Sequence, residues 1–231
     1  MNSIVYIICL LILPGLSTLD KGQQKMKDLQ GAWKSEVGVI IFTGNYFAYA
    51  EFNAESREFK GTLGGSWSIK DNLLKQLLEF NTFDNTTVGQ NFNEIYDLSD
   101  DRLTIDNQLF MRIDNGSPGK LNGAWLFAGR KQDGELTTRD TDHPRKTMKI
   151  LSGKRFQWIA YNTETGEFFG TGGGTYTTIG AKYTENIDFF SRDNTRIGAS
   201  LSFDFELIDG LWHHQGLNSR GEPMYEIWSK R

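Results

Sequence analysis

The sequence has few cysteines and prolines and no excess of positive charge, and each of these features argues against a class of protein. Its 231 residues include one cysteine, Cys9, and four prolines. Because Cys9 lies in an N-terminal apolar segment, we expect no disulfide and no thiolate metal site in the mature chain. So few prolines argue against collagen-like or low-complexity sequence. The 25 Lys and Arg against 29 Asp and Glu give a formal charge of −4, so we expect no nucleic acid partner.

The N-terminal segment predicts a signal peptide at residues 1–17. Residues 4–12 form the apolar run IVYIICLLI, which is shorter than the roughly 20 residues of a membrane span. Gly15 and Ser17 supply the small side chains that precede a cleavage site, so we expect cleavage near Ser17 and a secreted or periplasmic protein with no stable membrane insertion. No Lys or Arg precedes the run, and a buried N-terminal strand or helix is the alternative. Cys9 lies inside the run, which disfavours lipid attachment.

The two halves of the chain repeat each other. The motif LQGAW at 29–33 recurs as LNGAW at 121–125, and residues 41–100 align without a gap with residues 150–209. The aligned segments share 18 of 60 positions, and several identities are glycine or asparagine, which have backbone reasons to occur in turns. A chain of this length fits two domains. We therefore predict homologous domains at residues 24–115 and 119–231.

The second repeat carries an insertion. The offset between the repeats is 92 at the tryptophan motif and 109 downstream, so 17 extra residues lie between Trp125 and Gly153. They fall around the polar stretch 129–146, which we interpret as a long loop. Because loops of this length are usually functional or mobile, we favour a lid or rim role over a tolerated insertion.

Hydrophobic periodicity predicts an all-β protein. From residue 197 to 207 apolar and polar residues alternate with a period of two, as expected for a strand with one buried face. Residues 73–78 look helical, but they align with the strand-like residues 182–187, so we interpret them as strand. Short strands at regular spacing favour a closed barrel or a sandwich in each repeat.

Both repeats resemble the lipocalin, or calycin, pattern. Each begins with Gly-x-Trp, at 31–33 and 123–125, and each ends with a basic residue on its closing strand: Arg112, and Lys230 or Arg231. The resemblance implies two antiparallel lipocalin-like β-barrels in tandem. In each one the tryptophan would plug the barrel floor and the basic side chain would stack across it, which is a favourable cation–π arrangement.

The second half also resembles exported bacterial lipocalin-like proteins of unassigned function. The resemblance rests on the run GTGGGTY at 170–176 and on the tail from Trp212 to Trp228. The lipocalin Thr-Asp-Tyr motif is absent, so transport of a lipophile is not carried over. The glycines at 170–174 lack the Lys-Ser/Thr of a phosphate-binding loop, and we interpret them as allowing a sharp bend in a strand.

The second repeat has the stronger candidate site. Strand parity places an aromatic face with a few ionisable groups toward the interior of this barrel, which suits a small lipophilic or glycan-like ligand. The predicted ligand-binding residues are Trp158, Tyr183, Glu185, Phe203, Phe205, Trp212, His214 and Glu226. The first repeat has lost the equivalents of two of them, since Glu185 aligns with Gln76 and His214 with Ile105.

Other interpretations of these residues stay open. Glu185, His214 and Glu226 could serve a hydrolase or isomerase as general acid or base. A solid core with a structural or interaction role is a further alternative, because small barrels fill themselves with side chains. A zinc site is disfavoured, since His213 and His214 are adjacent on a strand and point to opposite faces. We expect no cofactor.

Overall fold

The computed structural model describes residues 21–53, 55–132, 134–218 and 220–231, and most of these residues are in strands. One helix, α1 (Lys21–Leu29), precedes the first strand, and its Leu29 is fully buried. The predicted signal peptide at residues 1–17 lies outside the described residues. The predicted fold class is confirmed, because the strands form two closed, antiparallel, eight-stranded β-barrels in tandem.

The first barrel pairs its strands in sequence order and closes by pairing the first strand with the last. Residues 73–78 lie in its fifth strand, so the interpretation of this segment as strand is confirmed. The strands are β1 (Gly31–Lys34), β2 (Gly38–Thr43), β3 (Tyr46–Asn53), β4 (Glu58–Lys70), β5 (Leu73–Asn81), β6 (Asn91–Ser99), β7 (Arg102–Ile105) and β8 (Gln108–Asp114).

The second barrel repeats this topology and adds one outer strand. Its closure is the pairing of β9 with β17. The alternation predicted over residues 197–207 is found in β15 as far as Phe205: Phe203 and Phe205 are buried, and the serines and acidic residues between are exposed. Leu207, predicted on the buried face, is 46% exposed. The strands are β9 (Gly123–Gln132), β10 (Glu135–Thr138), β11 (Arg145–Leu151), β12 (Arg155–Asn162), β13 (Phe168–Ile179), β14 (Lys182–Phe190), β15 (Ser200–Ile208), β16 (Leu211–Leu217) and β17 (Pro223–Lys230).

The composition of the inserted segment 129–146 predicts one long loop, but the structure differs. Its first half forms a hairpin in which β10 pairs with the outer end of β9, from Glu135 opposite Gln132 to Thr138 opposite Gly129. All four residues of β10 are exposed. The polar composition therefore reflects a solvent-exposed ribbon that extends beyond the barrel wall.

A tryptophan with a cation over its ring closes the end of the first barrel. Trp33 is fully buried, and its Nε1 donates a hydrogen bond to the carbonyl of Leu29 at 3.0 Å. The guanidinium carbon of Arg112 lies 3.9 Å from the centroid of the Trp33 ring, within the range of a cation–π interaction.

The second barrel repeats this arrangement with a different cation. Trp125 Nε1 donates to the carbonyl of Leu121 at 2.8 Å, and Lys230 Nζ lies 5.6 Å from the Trp125 ring centroid. The sequence pattern left Lys230 and Arg231 as alternatives for this role. The structure assigns it to Lys230, while Arg231 stacks over Tyr46 of the first barrel at 4.1 Å.

The glycine run at 170–174 lies within β13 and allows a bulge, as predicted. The register between β13 and β14 shifts at Gly173/Gly174, and the register between β4 and β5 shifts at Gly64/Gly65. A Cβ atom at Gly174 would lie 1.9 Å from the carbonyl oxygen of Asn186. The bulge therefore requires glycine at this position.

The two barrels share an apolar interface. All six residues of β2 are buried, because Ile40 and Phe42 face the interior of their own barrel while Val39 and Ile41 face the second barrel. The interface cluster consists of Ala32, Val39, Ile41, Ala48, Phe80, Ala124, Leu126, Met148, Ile150, Ile159 and Tyr161. Removal of this surface from water stabilises the pair of barrels as one unit.

A polar triad lies at the edge of this interface. Glu79 of β5 accepts two hydrogen bonds from the Arg231 guanidinium, at 2.7 and 2.8 Å, and one from the Tyr161 hydroxyl at 2.6 Å. The side chains of Glu79 and Arg231 are 12% and 15% exposed. Burial and the adjacent Glu79 charge hold the pKa of Tyr161 well above its usual value, so its hydroxyl stays protonated and donates.

Candidate functional site

The interior of the second barrel contains a cavity of about 370 Å³. Six of its strands and the loop after β14 contribute to the wall, which combines aromatic and aliphatic side chains with a few ionisable ones. The wall residues are Thr147, Lys149, Trp158, Glu185, Ile187, Phe190, Arg192, Arg196, Ala199, Leu201, Phe203, His214, Leu217, Asn218, Met224, Glu226 and Trp228.

Five of the eight residues predicted to bind a ligand line this cavity. They are Trp158, Glu185, Phe203, His214 and Glu226. The other three, Tyr183, Phe205 and Trp212, are buried in the aromatic core beside it and are absent from its wall. The core packs around the imidazole of His214, with ring centroids at 5.7 Å from Tyr183 and 5.3 Å from Trp212.

Sequence reasoning missed one central residue, Lys149. It lies on β11, and its Nζ lies 2.8 Å from Oε1 of Glu185 on β14. Both side chains are only 7% exposed, so the cavity wall contains a buried ion pair. Lys149 stands in an apolar run at an inward-facing position, where the first repeat has Ile40, and this interruption of the run could have identified it.

Four aromatic rings surround the Lys149 ammonium group. Its Nζ lies between 5.1 and 5.9 Å from the ring centroids of Tyr183, Phe203, Trp212 and Trp228. Electron-rich ring faces attract a cation at these distances, most strongly where water is excluded. The rings therefore compensate part of the cost of placing this cation in the barrel interior.

His214 and Glu226 form a second ionisable pair in the same wall. They are directly opposite each other on β16 and β17, and Nδ1 of His214 lies 3.3 Å from Oε2 of Glu226. The same carboxylate oxygen accepts a hydrogen bond from Trp228 Nε1 at 3.1 Å. His214 is 1% exposed, and its Nε2 is buried with no hydrogen-bond partner among the described residues.

The surroundings favour a neutral imidazole beside a charged carboxylate. Burial and the nearby Lys149 charge lower the pKa of His214, against the opposite effect of Glu226 and Glu185. Burial alone would raise the pKa of Glu226, but the hydrogen bond from His214 and the Lys149 charge outweigh it and lower that pKa. A neutral ring that donates through Nδ1 presents an acceptor lone pair at Nε2.

The first barrel has a cavity of about 250 Å³ at the corresponding place; its wall includes Glu94 and Asp106 but has neutral residues at the four positions of Lys149, Glu185, His214 and Glu226. The pairing of neighbouring strands defines the equivalent positions in the two barrels. The pair Lys149 and Trp158 corresponds to the pair Ile40 and Tyr49. The pair His214 and Glu226 corresponds to the pair Ile105 and Gln108. Likewise Glu185 corresponds to Gln76. We refer to Lys149, Glu185, His214 and Glu226 as the ionisable quartet; the first barrel has Ile40, Gln76, Ile105 and Gln108 in their place.

A larger cleft of about 540 Å³ lies between the two barrels, and two ion pairs involve residues of its wall. Arg155 and Asp188 form an ion pair in its wall, and Lys60 pairs with Glu58 at 2.7 Å. Arg155 Nε is also buried there without a partner among the described residues. The second-barrel cavity differs because two ionisable pairs, Lys149 with Glu185 and His214 with Glu226, lie in an aromatic wall, and we therefore take it as the candidate site.

The other histidines lie away from this cavity. His213 points to the opposite side of β16 from His214, as predicted, and its Nδ1 lies 2.8 Å from the Tyr225 hydroxyl. His143 is exposed in the segment before β11. No group of three His, Cys, Asp or Glu side chains able to hold a metal ion occurs among the described residues.

Within the described ranges, no helix is both long enough and apolar enough to cross a membrane. Comparison with protein-family models gives no match, and comparison with curated proteins gives no relative.

Proposed function

We propose that the protein binds a small, largely apolar ligand in the cavity of its second barrel, and that the first barrel is mainly structural. The predicted signal peptide at residues 1–17 supports export, so we place this binding activity outside the cell or in the periplasm. The proposal extends the resemblance to lipocalin-like proteins, whose fold class is that of both barrels.

The observation that carries the proposal is the ionisable quartet inside one barrel and its neutral counterpart inside the other. Burial of charged groups is costly, and replacing a buried ion pair by neutral residues is often neutral or stabilising. The first barrel folds with Ile40, Gln76, Ile105 and Gln108 at these positions. Since the barrel does not need the quartet to fold, a role at a binding site accounts for its presence.

The cavity favours ligand binding over a purely structural role. The first barrel, to which we give a structural role, leaves a smaller cavity of about 250 Å³. The second barrel instead leaves about 370 Å³ between aromatic walls, within the usual size range of small-molecule sites.

A ligand screen monitored by tryptophan fluorescence and thermal shift tests the proposal. Trp158→Ala and His214→Ala change the cavity wall and should weaken every genuine hit. Tyr49→Ala and Ile105→Ala are matched controls, because they change the equivalent positions of the first barrel. The proposal is wrong if the two cavity variants bind hits as tightly as the unmodified protein.

A hydrolase or isomerase is the second candidate, favoured by the contact between His214 and Glu226. A carboxylate that holds Nδ1 orients the ring and leaves Nε2 as a base that could abstract a proton from carbon or activate water. This candidate predicts that Glu226→Gln abolishes turnover while the fold survives. Turnover that is unchanged in this variant would exclude it.

A further inference from the structure

The side chain of His214 indicates which hydrogen-bonding group the ligand carries. Its Nδ1 faces the Glu226 carboxylate at 3.3 Å, so this nitrogen carries the proton and donates it. Its Nε2 is then a hydrogen-bond acceptor, and it is buried without a partner among the described residues. A buried acceptor without a partner is unfavourable, and a ligand with an O–H or N–H donor would remove this cost.

The three cations in the cavity wall, Lys149, Arg192 and Arg196, already have partners, which disfavours an anionic ligand. Glu185 and Glu226 also line the wall, and each would repel an anionic ligand placed beside it. The cation inside the barrel, Lys149, is already paired with Glu185 at 2.8 Å. Arg192 and Arg196 lie in the segment after β14: Arg192 donates hydrogen bonds to the carbonyl of Phe169, and Arg196 Nε lies 3.8 Å from Oδ2 of Asp193.

The aromatic wall indicates the shape of the ligand. Trp158, Phe203 and Trp228 line the cavity, and Phe190 packs against Trp158 with ring centroids 5.5 Å apart. Aromatic walls offer faces and edges to a flat ring, and a volume of about 370 Å³ accommodates a compound of two fused rings.

We propose that the cavity of the second barrel selects a neutral, flat ring compound that carries a hydroxyl group, and that a small shift of the side chains around the buried imidazole lets His214 Nε2 accept the hydrogen bond from this hydroxyl. This inference rests on the proposed function and names the class of ligand. His214 determines the specificity of the cavity, and Glu226 orients its imidazole.

Three probes of nearly equal size test the inference: 2-naphthol, 2-methoxynaphthalene and 2-naphthoate. Their dissociation constants are measured by quenching of tryptophan fluorescence. We expect 2-naphthol to bind about tenfold more tightly than 2-methoxynaphthalene, which cannot donate, because it satisfies a buried acceptor. The anion 2-naphthoate should bind more weakly than 2-naphthol.

His214→Ile is the matched variant, since isoleucine occupies the equivalent position in the first barrel. In this variant the two neutral probes should bind equally within about twofold, because the acceptor is gone. If the variant does not fold, His214→Gln replaces it. The glutamine amide can both donate and accept, so the preference for the hydroxyl should also fall.

The outcomes separate the inference from the proposed function. Equal binding of 2-naphthol and 2-methoxynaphthalene to the unmodified protein would overturn the inference but leave a ligand-binding barrel. Tightest binding of 2-naphthoate would overturn it in favour of an anion site. If none of the probes binds, the inference is wrong, and the broader ligand screen decides the proposed function separately.

Discussion

The imidazole of His214 and the carboxylate of Glu226 face each other across β16 and β17 of the second barrel, with Nδ1 and Oε2 3.3 Å apart. The first barrel has Ile105 and Gln108 at the equivalent positions. The two barrels share topology and the arrangement of a cation over a floor tryptophan. The barrels therefore differ less in fold than in the chemistry of their interiors. For each residue of the ionisable quartet, the first barrel has a neutral residue at the equivalent position, and this residue can be used as the substitution in a variant.

The ion pair between Lys149 and Glu185 gives a prediction about stability. Lys149→Ile alone leaves a buried carboxylate without its partner and should lower the free energy of unfolding by about 3–5 kcal/mol. The double variant Lys149→Ile/Glu185→Gln reproduces Ile40 and Gln76 of the first barrel and should recover most of this loss. Urea unfolding of both variants measures the difference. Equal stabilities of the single and double variants would contradict this account of the pair.

The triad of Glu79, Tyr161 and Arg231 gives a prediction about the barrel interface. Glu79→Gln removes the charge that pairs with a largely buried guanidinium, so we expect a loss of about 2–4 kcal/mol in the free energy of unfolding. Glu58→Gln is the control, because the Glu58–Lys60 pair is exposed and should contribute less than about 1 kcal/mol. Calorimetry measures both, and similar effects of the two substitutions would refute the role given to the triad.

His214 gives a prediction about pH. Its pKa in the folded protein is lower than the value of 6.5 for a free histidine, so the folded state binds its proton less readily than the unfolded state does. The stability that depends on neutral His214 is therefore present above pH 6.5 and is lost as the pH falls below it toward the lowered pKa. Lys149, Glu185 and Glu226 are the charged groups that face the ring.

Unfolding free energies at intervals between pH 5 and pH 8 check this prediction. A carboxylate contributes over this range only where folding raises its pKa, as burial does for Glu94. Glu94 is the same in all the proteins compared, so its contribution cancels in the difference between their profiles. His214→Gln should remove part of the loss of stability below pH 6.5, while the exposed His143→Gln should leave the profile unchanged. An unaltered profile in His214→Gln would show that the ring is not held neutral by the fold.

The sequence alone predicts the fold and part of the site. Repetition, alternation and the paired Gly-x-Trp motifs are local or regular signals, and they are sufficient for two barrels. Parity places Glu185 on the same side of its strand as Tyr183, but it does not fix the side on which His214 lies. Lys149 was missed because one lysine in an apolar run is not recognisable as buried until its partner 36 residues away is placed beside it.

The contact between the barrels is still harder to predict. Glu79 and Arg231 are 152 positions apart, and no local pattern links them. One signal was present in β2, where Gly38–Thr43 is apolar at positions of both parities. Such a strand is buried on both faces, which implies that something covers the outside of the barrel. Which residues cover the outer face of β2 depends on how the two barrels pack, and this packing is determined by the surfaces of both repeats.

The most direct test of the central claim is ligand binding by a variant in which the whole ionisable quartet is replaced by its first-barrel counterparts: Lys149→Ile, Glu185→Gln, His214→Ile and Glu226→Gln. We expect this protein to fold and to be at least as stable as the unmodified chain, because buried charges have been replaced by residues that the first barrel already accommodates. Hits from the ligand screen, measured by tryptophan fluorescence, should then bind at least tenfold more weakly. Unchanged affinities in a folded quadruple variant would contradict the claim that the quartet forms the binding site.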